Sequence, residues 1–372
     1  MSKLKQGRKG WVKWCVCIFL LCTGSGLVYW SYLHCDAWTM TQMAINKISE
    51  SMGMRMELVP YTKSEGVIFL KTHKTAGSTV TSIMWRNLCE NEGRNCFLPP
   101  YKNPGKTWDF SRSSDWDILR RYGGSSLRGN ATSFYSAWLL HAVFSPKLFS
   151  IVPRTKRIIS IVRRPSHRFE SAWHWYNHSS KFHMELSQFA TRLSAGTINL
   201  QLFKYRTGLD ATTEEMTGIR DFRSKIIIQK SAYEDLIGRV LRRELVLLVA
   251  ERLEESLLVL GRLLGWTAPQ LISLPLKVGT YKKVNEETYI KLDQIQTYDF
   301  GLWKLANSVL TRLITDNFEP EDFNEQLATL SRRNKNLQDV CNKNPHTGEC
   351  ERLNRDNSLR VKLLWKSFGF YG

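Results

Sequence analysis

The chain has 372 residues, and 53 Lys and Arg against 34 Asp and Glu leave a formal charge of +19 at pH 7. It contains no internal repeat and no low-complexity tract, which excludes a repeat array. A balance this basic narrows the partners to an anionic cosubstrate, an acidic membrane surface or nucleic acid.

Residues 1–13 carry Lys3, Lys5, Arg8, Lys9 and Lys13 with no acid, a basic tail that belongs on the cytosolic side. Residues 14–32 follow without a charge, flanked by Trp11, Trp14, Tyr29, Trp30 and Tyr32. That length at helical rise spans a hydrocarbon core, and aromatics at both ends suit the interfaces. A cleaved signal peptide is the competing reading, with Thr23-Gly24-Ser25-Gly26 as its small-residue region. The apolar stretch is long for a signal, so a retained signal-anchor is expected, single-pass type II, with the C-terminus lumenal. This topology argues against nucleic acid as the partner.

Two sequons, Asn130-Ala-Thr132 and Asn177-His-Ser179, agree with lumenal exposure. Cys15, Cys17 and Cys22 lie in the anchor. Beyond it, Cys89 with Cys96 and Cys341 with Cys350 read as short-loop disulfides of an oxidising compartment. Cys35 is left over and could link two chains into a homodimer. No Cys/His set has zinc spacing, and no metal is expected. Residues 33–65 read as a stem, and residues 66–372 as one lumenal α/β domain.

Residues 66–86 read G-V-I-F-L-K-T-H-K-T-A-G-S-T-V-T-S-I-M-W-R. The apolar run 67–70 suits a strand buried on both faces. Residues 71–79 then hold two lysines, one glycine and four hydroxyl residues, and 80–85 return to an apolar pattern with helical character. Strand, small-residue loop and helix make an anion cradle, with the backbone N–H groups and dipole of the helix start facing the ligand. Gly77 permits close backbone approach, while Ser78 and Thr79 can donate hydroxyl hydrogen bonds. The lysine precedes the glycine, unlike the nucleotide-triphosphate loop. The plain alternative is a strand–turn–helix with a well-capped helix. The order K-T-x-K-T-A-G-S-T resembles the 5′-phosphosulfate loop of Golgi carbohydrate sulfotransferases. F-L-K-T-H-K-T-A-G-S-T-V is similar to that of the galactose-3-O-sulfotransferase family, which includes cerebroside sulfotransferase.

Asp115-Trp116-Asp117 could be a metal-binding D-x-D of a sugar-nucleotide transferase, or an ordinary turn after Ser113-Ser114. In residues 133–153, His141 sits in an apolar run. Imidazole titrates near neutrality and can take a proton from a sugar hydroxyl, although a lone histidine in such a run is commonly a packed core residue. The resembled family carries a histidine followed by a basic–aromatic pair here, which makes His141 the expected base. Val143 departs from that pattern. His73, inside the first loop, is the second candidate, either as base or as a group that touches the leaving group or orients Lys74.

Residues 156–176 read K-R-I-I-S-I-V-R-R-P-S-H-R-F-E-S-A-W-H-W-Y. Residues 158–162 predict a second buried strand, and Pro165-Ser166 open a helix over 166–176. Arg163-Arg164 therefore lies at a strand's carboxyl end, where open α/β sheets gather ligands and a guanidinium can hold a phosphate bidentately. V-R-R-P-x-x-R-F-x-S resembles the sulfotransferase 3′-phosphate motif R-D-P-x-x-R-x-x-S. Matched residue by residue, Arg163 and Ser171 take the 3′-phosphate roles, and Arg164 stands where the family carries an acid. Trp173, Trp175 and Tyr176 are either core or a surface for a sugar ring.

Farther on, residues 224–229 and 244–250 read as strands, and 251–264 as an amphipathic helix with Leu253, Leu257 and Leu260 inward. V-A-E-R-L-E-E-S-L, Tyr281 with Asn285, and residues 298–313 all resemble segments of the same family; 191–223 resemble it least. Residues 327–372 are basic and helix-leaning, with no chemistry assigned.

The resemblance implies an α/β fold with a central parallel sheet and a phosphate-binding strand–loop–helix. It also implies a Golgi enzyme using 3′-phosphoadenosine 5′-phosphosulfate, without a metal, on the 3-hydroxyl of galactose in a glycolipid or glycan. Lys74 would neutralise the leaving bridging oxygen, and Thr75, Gly77, Ser78 and Thr79 would hold the 5′-phosphate with Lys71 as a lesser contributor. Arg163 and Ser171 would hold the 3′-phosphate, with His141 as base. A metal-dependent lumenal glycosyltransferase and a non-catalytic carbohydrate-binding protein are the alternatives.

Overall fold

The computed structural model describes residues 25–50, 55–97, 106–110, 112, 114–115, 135–198, 209–219, 226–276 and 279–354. The basic tail, residues 14–24 of the expected anchor, Asp117 and the Asn130 sequon lie outside them. Among the described residues no helix is long and apolar enough to cross a membrane.

Helix α1, Ser25–Glu50, begins inside the expected anchor and runs on through the stretch read as a stem. Ala37, Thr41, Ala44 and Ile48 are buried. Their spacing of four, three and four places them on one stripe of the helix. The Thr41 hydroxyl lies 3.0 Å from that of Tyr233. From Ala37 onward this stretch is therefore packed into the domain.

Four parallel strands form the central sheet, in the order β2-β1-β3-β4. They are β1 Val67–Leu70, β2 Ala137–Trp138, β3 Ile158–Val162 and β4 Leu245–Val249, and every residue in them is buried. Continuous apolar runs of this kind are what a sheet covered on both faces requires. β1 is followed by its neighbour on one side, β2, whereas β3 is followed by its neighbour on the other, β4. The topological switch point is therefore the crevice between the carboxyl ends of β1 and β3.

Helices α2 Gly77–Met84, α3 Pro165–Trp175, α4 Leu186–Ser194, α5 Ala211–Thr217, α6 Ile226–Leu241, α7 Leu253–Leu264, α8 Glu286–Ile295, α9 Thr297–Asn317 and α10 Pro320–Lys343 surround the sheet. α2 continues into a wider π-helical turn, Trp85–Asn91. The strand expected over 224–229 is corrected: its β-branched run enters the first turn of α6. Tyr233, Leu236, Ile237 and Val240 are buried farther along. Their i, i+3, i+4, i+7 spacing is a helical stripe, and it overrides the local preference of three successive isoleucines.

Gly66 admits the chain to β1, since a Cβ there would lie 2.5 Å from the Pro153 carbonyl oxygen. A second apolar cluster around Phe169, Trp173 and Phe189 joins α3 to α4. Both disulfides read from cysteine spacing are formed, Cys89–Cys96 and Cys341–Cys350. Cys96 also bridges to Ala137, so the first disulfide ties the end of the π-helical turn to the β2 edge.

Candidate active site

The loop after β1 is stitched to its neighbours before any ligand is considered. The Thr72 hydroxyl donates to the Ile161 carbonyl at 2.6 Å and lies 2.8 Å from the Thr75 hydroxyl. The Ser160 hydroxyl donates to the Leu70 carbonyl at 2.7 Å, and the Lys71 amide donates to Leu140 at 3.3 Å. Lys74 and Ala76 both adopt left-handed backbone, at φ 63° and 64°. Non-glycine residues hold that conformation at a cost of about 1–2 kcal/mol each, and such strain collects at functional loops. Ala76 immediately precedes α2, and its carbonyl accepts from Thr79 at 3.0 Å and Val80 at 3.4 Å. The amides that open a helix have no carbonyl within the helix to reach, and they face whatever lies at its start. At Gly77 a Cβ would sit 3.0 Å from Lys71 Cγ, so the loop closes tightly at this point.

The loop after β3 leads into α3. Arg163 Nη1 donates to the Lys74 carbonyl at 3.3 Å, which joins the two loops directly. Lys74 Nζ lies 4.1 Å from the Trp175 ring centroid on α3, within cation–π range. Arg164 points elsewhere. Its Nε donates to Asp293 at 2.6 Å and its Nη2 to Glu286 at 2.8 Å. The other Asp293 oxygen accepts from the Ser166 amide at 2.8 Å. An acid at position 164 could have capped that amide locally; here α8 supplies the carboxylate and Arg164 balances its charge. Glu251, after β4, accepts from the Arg164 amide at 2.8 Å and from Trp303 at 3.2 Å. Burial would raise its carboxyl pKa, but His167, 3.6 Å away, and hydrogen bonds from the Arg164 amide and Trp303 outweigh that and hold it below the usual range. Glu170 accepts from the Tyr289 hydroxyl at 2.9 and 3.0 Å and from the Val284 amide at 3.0 Å. Burial, then this carboxylate, raises the Tyr289 phenol.

Two imidazoles stand beside the first loop. His141 Nδ1 lies 2.8 Å from the Lys71 carbonyl. A carbonyl only accepts, so Nδ1 carries the proton and Nε2 of the neutral ring holds the lone pair. The His73 ring stacks on His141, with centroids 4.0 Å apart and planes 18° apart. His73 Nδ1 makes a short contact with the Glu215 carboxylate. The other Glu215 oxygen accepts from the His73 amide at 3.1 Å.

A cavity of about 970 Å³ opens here, large enough for a nucleotide and part of an acceptor. Lys71, His73, Lys74, Thr75, Gly77, Ser78, Thr79, His141, Arg163 and Ser171 all line it, so ten residues selected from sequence meet in one place. Within that set Thr75 is fully buried and its hydroxyl is engaged with Thr72, which makes it a brace of the loop. Trp175 and Tyr176 also face the cavity, whereas Trp173 is core. Val143 is core as well, and the cation near Phe144 comes from α6, where Arg239 lies 3.7 Å from that ring's centroid.

Sequence reasoning did not single out Glu215, Lys283, Lys335 or Gln338. The first grips His73, and the other three line the cavity. Glu215 falls in the stretch of weakest resemblance, and its neighbours Thr213-Glu214-Glu215-Met216 give no pattern that marks it. Asp115 is committed elsewhere: it is buried, accepts from Lys106 at 2.5 Å and from the Asp109 amide at 2.7 Å. Among the described residues no group of three or more His, Cys, Asp and Glu could hold a metal ion.

A family model described as galactose-3-O-sulfotransferase matches residues 2–362. Galactose-3-O-sulfotransferase 2 of Sus scrofa is 25% identical over 280 residues, covering 74% of this chain and 68% of that protein. The Homo sapiens protein of the same name is 24% identical over 336 residues, covering 88% and 77%. Galactosylceramide sulfotransferase of Bos taurus is 22% identical over 291 residues, covering 74% and 63%. No solved structure matches the chain at a significant level.

Proposed function

The chain belongs to the galactose-3-O-sulfotransferase family, and from that premise we propose that it transfers a sulfuryl group from 3′-phosphoadenosine 5′-phosphosulfate to the 3-hydroxyl of galactose. The observation that carries this reading is the shared cavity at the switch point. The loops after β1 and β3 bring Lys74, Ser78, Thr79, Arg163 and Ser171 to the same space as His141. Such a donor offers two separate phosphate groups, and two cationic loops at neighbouring strand ends fit both.

In this scheme the sulfur–oxygen bond to the donor's 5′-phosphate breaks and one to the galactose oxygen forms. Lys74 balances charge on the departing bridging oxygen, and the opening amides of α2 with Ser78 and Thr79 hold the 5′-phosphate. Arg163 and Ser171 hold the 3′-phosphate. His141 Nε2 takes the acceptor proton, and 3′-phosphoadenosine 5′-phosphate leaves. Positioning and charge stabilisation supply most of the rate, as in phosphoryl transfer.

The acceptor class is a galactose-terminated glycolipid or glycan, in keeping with the names of the relatives. The residues 14–32 span, read as a retained anchor, would hold the catalytic domain in the Golgi lumen as a single-pass type II membrane protein, with Cys35 able to link a homodimer. The D-x-D alternative is disfavoured by Asp115, whose two oxygens serve Lys106 and a backbone amide. The binding-protein alternative is disfavoured because Arg164 and Val143, the two departures from the family pattern, are absorbed by α8 and the core.

Transfer of labelled sulfate across a panel of galactosides, with and without EDTA, tests the reading. Transfer to at least one galactoside, unchanged by the chelator, is expected. Tight donor binding with no transfer to any galactoside would favour the binding protein, and no binding of the sulfate donor together with chelator-sensitive sugar transfer from a nucleotide sugar the glycosyltransferase class.

A further inference from the structure

Glu215 is a buried carboxylate on α5, 142 residues from the loop it touches. Both its oxygens are spent on one residue: one accepts the His73 amide, and the other meets His73 Nδ1. A carboxylate accepts, so this contact places a proton on Nδ1 of His73, and Nε2 lies on the other edge, 3.4 Å from the Thr107 hydroxyl. His141 is pinned in the same sense by the Lys71 carbonyl. Two nearly parallel imidazoles therefore share one tautomer, each fixed at Nδ1 by the protein. The amide contact also grips the loop next to Lys74, whose left-handed backbone needs support from outside the loop.

The helix that carries Glu215 is itself held. Asp299 accepts from the amides of Thr212 at 3.1 Å and Thr213 at 2.7 Å, and from the Thr213 hydroxyl at 2.8 Å. Arg168 of α3 also lies beside it, at 3.5 Å. Glu215 is thus anchored to the helix that bears Ser171, and the grip on His73 is part of one buried network.

We propose that Glu215 is a positioning residue for sulfuryl transfer, acting through His73: it sets the His73 tautomer, braces the stack on His141 and holds the loop beside Lys74. This rests on the sulfotransferase reading above. His141 stacks on His73, and Lys71, Lys74 and Arg163 line the same cavity. A role in shaping the reacting groups should appear in kcat, whereas a role in holding the fold alone should appear in stability and donor affinity.

The test uses the full chain in detergent, with Glu215→Gln, His73→Asn and the double variant. Wild-type transfer is the control for the underlying reading. Glu215→Gln keeps the shape and an acceptor for the His73 amide. It is expected to lower kcat by about 10-fold or more. The donor KM and the Kd for 3′-phosphoadenosine 5′-phosphate should stay within about 2-fold, and adding it to His73→Asn should cost nothing further. Active wild type with an unchanged Glu215→Gln kcat, or full additivity of the two variants, would overturn the role and leave the sulfotransferase reading intact. Wild type that binds no donor nucleotide would remove that reading and this role with it. If Glu215→Gln does not fold, nitrogen-15 NMR of the wild-type imidazoles decides: a protonated His73 Nδ1 supports the role, and a neutral ring protonated at Nε2 alone contradicts it.

Discussion

Lys74 occupies a left-handed backbone position beside Ala76, which shares the conformation. A side chain kept where glycine would be more comfortable points to a chemical demand on that side chain. Lys74→Gly and Lys74→Ala should both abolish transfer, but glycine should melt higher than alanine, by about 1 kcal/mol in stability. Thermal melts of the two variants check this; equal stability would mean the loop relaxes freely. Most of this site was legible in the chain because its residues come in two short motifs, Lys71–Thr79 and Arg163–Ser171, each placed by one strand end. Glu215 was not legible, because it reaches His73 through tertiary packing and not through a local pattern. The same holds for Asp293, which caps α3 from a helix more than a hundred residues later.

At the scale of elements, α3 depends on a borrowed cap. Arg164→Ala would leave the Asp293 carboxylate with the Ser166 amide but without its guanidinium, and should raise the donor KM with little change in kcat. Arg164→Asp restores the acid of the family motif, yet should be worse than alanine, because Asp293 and Glu286 already face that position. Melting temperatures and donor KM for the two variants test this ordering. The short helical segment that follows, His178–Phe182, carries a second consequence. His178 is buried against Trp173, and burial, then Lys181, pushes its pKa down to about 4. The unfolded chain takes up that proton near pH 6.5 and the folded chain only near 4, so stability should fall as pH drops through this window. His178→Phe should flatten that slope in a series of melts; an unchanged slope would assign it to other groups. Strands were readable where apolar runs are flanked by turns, as at β1, β3 and β4. The 224–229 run misleads because three isoleucines favour a strand locally, while the stripe farther along α6 requires a helix.

For the whole molecule, α1 changes what counts as the domain. Its stripe of Ala37, Thr41, Ala44 and Ile48 lies under α9 and α6, and Thr41 sits close to Gly301 and Tyr233. A chain starting at residue 33 should fold, and one starting at residue 55 should lose several kcal/mol or fail to fold, since it uncovers that surface. Circular dichroism and melts of the two chains decide; equal stability would show that α1 is dispensable. The mixed composition of residues 33–65 reads as a stem, since four small or apolar residues on one stripe are a weak signal without the helix they meet.

The most direct measurement is transfer of labelled sulfate to a galactoside by the full chain in detergent, run beside Lys74→Ala and Arg163→Ala with binding of 3′-phosphoadenosine 5′-phosphate followed in parallel. Transfer by the wild type and a loss of about 100-fold or more in kcat for Lys74→Ala are expected. Arg163→Ala should weaken nucleotide binding by about 10-fold or more. A wild-type chain that binds neither the donor nor its product nucleotide would contradict sulfuryl transfer at this site.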